Sequence, residues 1–267
     1  MLTEEAIRTE ALRLDTAERT RTQVEATTVH HPDMTVEDAY AIQSAWMDLK
    51  KESGRTVAGY KIGLTSRTMQ KSMNIDEPDY GTLLDDMVFE EGSSIEAARF
   101  LDPRVEVELA FILKKPLIGS QVSIFDVLRA TEYVVPAVEL IAARTFRIHP
   151  ETGYKRTVKD TISDNAANGG IIMGGRPMKP DSIDLRWVGA LLYSNGVIEE
   201  SGVSAAVLNH PAKGIAWLAK KYAPHGIALE PGQIILAGSF TRPVKVKAGD
   251  SIHVDYGPMG SISCQFV

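Results

Sequence analysis

Arg104-Val105-Glu106-Val107-Glu108-Leu109-Ala110-Phe111-Ile112-Leu113 is the most informative run in this chain of 267 residues. Its first half alternates apolar and charged residues with a period of two, which belongs to a strand and not to a helix. Glu106 and Glu108 therefore share one face, and Val105, Val107 and Leu109 the other. Two residues along a strand span about 7 Å, close enough for both carboxylates to turn onto one cation. A solvated face with alternating glutamates is the competing reading. Ala110 to Leu113 continue apolar on both faces, as a strand covered on both sides does. Buried acids need a metal or a cationic partner.

Working outward, Tyr133-Val134-Val135-Pro136-Ala137-Val138-Glu139-Leu140 is a second apolar strand with one acid in it. Glu139 supplies a third carboxylate. Three carboxylates without a His or Cys cluster beside them suit a hard, oxygen-preferring ion such as Mg²⁺ or Mn²⁺ better than zinc. Further strands are expected at Val57–Leu64, Leu185–Tyr193, Ile234–Gly238 and Ser251–Tyr256, between Gly, Pro and Asp clusters. Asp126–Ala130 and Asn209–Tyr222 read as helices.

The first fifty or so residues have a different character. An Ala/Leu/Glu/Arg-rich helix is expected from Thr3 to about Thr28. Thr35 and Asp38 have the spacing of a capping box ahead of Ala39, Ile42, Trp46 and Leu49, and Gly54 reads as the stop. The chain thus divides into a helical N-terminal lobe, residues 1–55, and a β-rich catalytic domain, residues 56–267. The fold class is mixed α/β and strand-dominated.

Composition narrows the partners. At 44% hydrophobic and 24% charged, with a net charge of -6, the chain is globular and lacks the basic footprint of a nucleic-acid or anionic-membrane binder. The one cysteine, Cys264, shares a strand face with Ile262 and Phe266 and reads as core. Met1-Leu2-Thr3-Glu4-Glu5 shows no basic run ahead of an apolar one, and no apolar run approaches about 18 residues. A soluble cytoplasmic protein acting on small molecules is the expectation.

Several further segments carry a family resemblance: Gly59-Tyr60-Lys61-Ile62-Gly63-Leu64-Thr65-Ser66, Glu77-Pro78-Asp79-Tyr80-Gly81-Thr82-Leu83, Ser163-Asp164-Asn165-Ala166-Ala167 and Gly238-Ser239-Phe240-Thr241. With the two glutamate segments, they make the chain resemble the hydratase/decarboxylase branch of the fumarylacetoacetate hydrolase superfamily over nearly its whole length. The resemblance implies a β-roll or barrel like that family's C-terminal domain, with the small helical lobe ahead of it. It implies Mg²⁺ or Mn²⁺ on Glu106, Glu108 and Glu139. The substrate would be a 2-oxo-alkenoate from aromatic-compound catabolism, bound through its 1-carboxylate and 2-oxo group, and the reaction the addition of water. A homo-oligomer is also implied, with a decamer of five-fold symmetry as the form to expect.

Lys61 and Asp79 are the catalytic candidates by this resemblance. Lys61 lies in an apolar run between two glycines, where desolvation lowers a lysine pKa and eases proton exchange; an ordinary snorkelling lysine fits the same letters. Asp79 follows Pro78 in a turn-like stretch, so a turn residue is its plain alternative. Ser163, Asn165 and Thr241 are the substrate-binding candidates, against helix-capping and strand-end roles. Arg104 and Arg144 are candidates for a distal carboxylate. His30-His31 are not expected to form a metal pair, because neighbouring side chains point apart. No residue matches the His-centred base of the C–C hydrolases in the wider superfamily, which favours hydration over hydrolysis. A decarboxylase on the same scaffold is the nearest rival. A non-catalytic subunit would have no use for the carboxylate trio.

Overall fold

The computed structural model describes the backbone of residues 1–267 and every side chain except those of Met69 and Ser72. Helices α1 (Glu4–Thr20), α2 (Thr27–His30) and α3 (Val36–Glu52) open the chain. Thr3 caps α1 by accepting the Ala6 N–H at 3.2 Å. The helix ends at Arg21, in the left-handed region with φ 55°, short of the Thr28 boundary expected from composition. The capping box of α3 is formed: the Asp38 N–H donates to Thr35 Oγ1 at 3.1 Å, and the Thr35 N–H to Asp38 Oδ2 at 2.9 Å. Gly54, with φ 96°, follows the last turn.

Strands dominate from Val57 onward. In order come β1 (Val57–Gly63), α4 (Arg67–Met73), β2 (Asp79–Leu84), β3 (Val88–Glu90), β4 (Ser94–Ile95), β5 (Arg104–Leu113), α5 (Ile124–Ala130) and β6 (Thr131–Ile141). The second half adds α6 (Val158–Ser163), β7 (Asn168–Met173), β8 (Gly189–Ser194), β9 (Val197–Val203) and α7 (Ala212–Tyr222). It closes with β10 (Ile234–Leu236), β11 (Val244–Lys245), β12 (Ser251–Asp255) and β13 (Ser261–Phe266). Two expectations need correction. Leu185–Trp187 is a 3-10 turn, because Asp184 Oδ1 accepts the Arg186 N–H at 3.0 Å and tightens the chain before β8. Asp79 is not in a turn; it is the first residue of β2, just after Pro78, which has no N–H for a sheet ladder.

Eight strands form one curled sheet in the order β2-β1-β10-β5-β6-β7-β3, with β11 also on β5. The other five form a smaller sheet, β4-β13-β12-β8-β9. The hairpin of β5 and β6 is the spine of the large sheet, and its register sets Glu106 directly opposite Glu139. Beside it, β1 pairs with β2 so that Gly63 faces Asp79 and Lys61 faces Gly81.

The two faces of the large sheet bury different things. Val105, Val107, Leu109, Phe111, Val138 and Leu140 pack against Ile252, Val254 and Phe266 of the small sheet and Leu218 of α7. The opposite face sets Ala110, Ala137, Leu83 and Leu236 against Leu14 of α1 and Ile42 and Trp46 of α3. By strand parity this second face carries Glu106, Glu108 and Glu139, so the N-terminal helices roof it. Among the described residues no helix is long and apolar enough to cross a membrane.

Candidate active site

One carboxylate oxygen from each of Glu106, Glu108 and Glu139 lies within 4.8 Å of the others, and no other His, Cys, Asp or Glu group among the described residues converges in this way. The two strands make this inevitable once the register is set. Glu108 and Glu139 are 1% and 0% exposed. Glu108 Oε2 accepts the Gly238 N–H at 2.9 Å. Gly238 has φ 118°, and a Cβ there would lie 2.4 Å from Thr65 Oγ1, so only glycine brings the amide so close.

Glu108 Oε1 and Glu139 Oε2 are buried without a hydrogen bond. Burial, and then the charge of Glu139, push Glu106 up to about 8 and Glu108 well above the ordinary carboxylate range. Such crowding of desolvated acids, with too few donors, is what a hard divalent ion relieves. An all-oxygen donor set fits Mg²⁺-like ions and not a thiophilic metal.

Lys61 stands against this trio. It is 5% exposed, its Nζ lies 3.0 Å from Glu139 Oε1, and it donates to the Ala166 carbonyl at 2.9 Å. The expected lowering of its pKa is reversed. Burial does work against the charge, but the carboxylates of Glu139, Asp79 and Glu108 together outweigh it and hold Lys61 protonated, above the ordinary lysine range. Asp79 is 1% exposed and its Oδ1 is buried without a hydrogen bond. Burial raises it to about 6, against the opposing pull of Lys61. Gly63 provides the space between them, because a Cβ there would fall 2.2 Å from Asp79 Oδ1 and 3.1 Å from Lys61 Nζ.

The carbonyl that holds Lys61 comes from an unusual turn. Asn165, Ala166 and Ala167 have φ values of 52°, 51° and 57°. Three consecutive left-handed non-glycine residues each cost roughly 1–2 kcal/mol, so the neighbours must enforce the shape. The Thr82 N–H donates to Asn165 Oδ1 at 2.7 Å and Asn165 Nδ2 donates to the Thr82 carbonyl at 2.9 Å. Arg144 holds the other side, donating from Nε to Asp164 Oδ1 at 2.5 Å and from Nη1 to the Asn168 carbonyl at 2.9 Å, with its guanidinium 5.0 Å from the Trp46 ring centroid.

These contacts redistribute the expected roles. The Asn165 amide is occupied by β2, the Ser163 hydroxyl donates to the Lys159 carbonyl at 2.9 Å, and Arg144 is committed to Asp164. Thr241 lies beside β5, where its Oγ1 accepts the Val107 N–H at 3.1 Å. His30 and His31 both turn to Glu10, at 3.2 and 3.5 Å. Sequence reasoning missed the Ala166 carbonyl altogether, since a backbone atom leaves no mark in residue type.

The chain matches no protein-family model. It is similar to the 2-oxo-hept-4-ene-1,7-dioate hydratase of Escherichia coli, with 62% identity over 257 residues, 96% of this chain and 96% of that protein. A 2-hydroxyhexa-2,4-dienoate hydratase of Comamonas testosteroni is 39% identical over 97% of each chain. Among solved structures, the 4-oxalocrotonate decarboxylase from Pseudomonas putida G7, complexed with magnesium and adipate, superposes with a TM-score of 0.94 at 33% identity, over 100% of this chain and 99% of that one.

Proposed function

The chain belongs to the hydratase and decarboxylase branch of the fumarylacetoacetate hydrolase superfamily, and from that premise we propose that it is a metal-dependent hydro-lyase whose substrate is 2-oxo-hept-4-ene-1,7-dioate. The observation that carries the reading is the convergent trio of Glu106, Glu108 and Glu139, the last two buried, with Lys61 Nζ 3.0 Å from Glu139. Glu106, Glu108 and Glu139 would hold the ion, Mg²⁺ first and Mn²⁺ second. When bound, it supplies Lewis-acid polarisation of the substrate's 2-oxo group.

The chain's own residues manage the protons. Asp79, raised to about 6, accepts and returns a proton near neutral pH, taking it from C3 and delivering it to C5 so that the double bond moves into conjugation with the ketone. Lys61, kept cationic by its carboxylate neighbours, stabilises the negative charge that develops on the 2-oxo oxygen during this transfer. Water then adds at C4 and the balancing proton goes to C3, giving 4-hydroxy-2-oxoheptane-1,7-dioate. Thr241 donates its hydroxyl to the substrate carboxylate. Asn165 acts at one remove, by holding the turn that presents the Ala166 carbonyl, and Ser163, bonded to the Lys159 carbonyl, by closing the end of α6 that leads into it. The chain works in the cytoplasm as a homo-oligomer, and the exposed apolar residues Trp187, Val197 and Ile198 at the edge of the small sheet support that assembly.

Product analysis tests the reaction. NMR of the dioate incubated with enzyme and Mg²⁺ in D₂O is expected to show a new C4 carbinol proton and deuterium at C3, with no CO₂ evolved. Stoichiometric CO₂ without the carbinol signal would assign the decarboxylase alternative.

A further inference from the structure

At the Arg104 end of β5, basic side chains outnumber the acids that hold them. Arg147 Nε donates to Asp102 Oδ2 at 2.6 Å, Arg104 Nη2 reaches the same oxygen at 3.4 Å, and the mostly exposed Lys245 lies 3.4 Å from Asp102 Oδ1. Arg156, 8% exposed, has Asp164 Oδ2 at 3.5 Å, but Asp164 is already matched by Arg144. Asp102 thus faces three cations alone, from a left-handed backbone position with φ 46°.

Two donors in this group, Arg147 Nη2 and Arg104 Nε, are buried without any hydrogen bond. A dry guanidinium N–H with no acceptor is costly, and the shortage is of anions. The group also adjoins the catalytic face. Arg104 shares the parity of Glu106 and Glu108 and lies two residues, about 7 Å, along the strand from Glu106. The charge of Arg147 is felt at Glu106 and that of Arg156 at Asp79, in each case against the upward push of burial.

We propose that Arg104, Arg147 and Arg156 form a recognition site for a second carboxylate at the far end of the substrate, and that this site makes the enzyme selective for dicarboxylic over monocarboxylic 2-oxo-alkenoates. The planar fork of a guanidinium accepts a carboxylate in two parallel hydrogen bonds, and the two unpartnered donors are the kind it would satisfy. Asp102 is the positioning residue that orients Arg147 and Arg104. The inference rests on the hydratase reading and specifies its substrate class.

The test is the ratio of kcat/KM for 2-oxo-hept-4-ene-1,7-dioate to that for 2-oxopent-4-enoate, measured on the intact protein with Mg²⁺. Wild type is expected to favour the dioate. In Arg147→Gln the ratio is expected to fall on the order of a hundred-fold, mainly through KM for the dioate. Arg147→Lys, which keeps the charge and loses the fork, should lie between. Arg104→Gln should shift the ratio in the same direction and serves if the Arg147 variants do not fold. An unchanged ratio in folded variants overturns the site, as does a wild type with no preference for the dioate. A wild type that hydrates neither acid overturns the functional reading itself.

Discussion

Val107 and Glu108 are neighbours on β5 and equally dry, at 0% and 1% exposed, yet they face opposite physical problems. Val107 points into the core shared by the two sheets, where each buried aliphatic or aromatic side chain contributes about 1.5–3 kcal/mol. Glu108 points to the other face, where a buried charge costs free energy until something pairs with it. Burial alone therefore does not distinguish a core position from a site position in this molecule. What differs is whether the neighbours supply the group's needs. On one face they do, and the surplus stability holds Glu106, Glu108, Glu139, Asp79 and Lys61 together on the other, where Asp79, Glu108 and Glu139 keep buried oxygens without a hydrogen bond.

If that division is right, the two faces respond differently to substitution. The largest effect is expected on the charged face: Glu139→Gln, or removal of metal by EDTA, should lower hydration at least about a thousand-fold. The melting temperature of metal-free Glu139→Gln should stay level or rise, because an isosteric amide relieves the crowded trio. A marked fall would mean that Glu139 is structural. The apolar face is expected to answer in the opposite way. Leu109→Ala should lose about 3 kcal/mol in urea unfolding while kcat under folding conditions changes by less than about three-fold; a collapse in kcat with stability intact would erase the distinction between the faces.

Lys61→Ala should reduce kcat about a hundred-fold, with little change in unfolding midpoint and a smaller effect on binding of a substrate analogue. Near-normal turnover would make Lys61 a counter-charge and nothing more. Gly238→Ala, strained at φ 118° and crowded by Thr65, should displace the amide from Glu108 and weaken metal affinity about ten-fold, which titration calorimetry would detect. The smallest signal concerns Cys264 on the apolar side of the small sheet. Burial pushes its thiol up to about 11, so at pH 8 a disulfide reagent should label the folded protein far more slowly than the protein in urea. Equal rates would mean that this core opens readily.

The sequence makes parity legible. The alternation in Arg104–Leu109 placed both glutamates on one face, Glu139 stood out in its apolar run, and Thr35 and Asp38 marked the start of α3 correctly. Lys61 and Asp79 came from the family's motifs, since their local sequence allowed a snorkelling lysine and a turn. The rest depended on three-dimensional neighbours. The pKa of Lys61 moves opposite to the expectation from burial because Glu139, Asp79 and Glu108 reach it from other strands. Ser163 and Asn165 looked available because their partners, the Lys159 carbonyl and the Thr82 backbone, are main-chain atoms. Arg147 and Arg156 lie in an irregular segment without periodicity, where nothing in the letters shows two arginines converging.

The left-handed turn at Asn165–Ala167 bears on how this enzyme can be engineered. The atom that anchors the lysine belongs to the main chain, so replacing the Ala166 side chain cannot delete it, and a mutational scan would pass over the position. Glycine at Ala166 or Ala167 would accept the same torsions without steric penalty and keep the anchor. Proline, whose ring fixes φ near −65°, would destroy it. Retuning the lysine thus calls for redesigning the path of the loop, with Asn165 and Arg144 as the two handles.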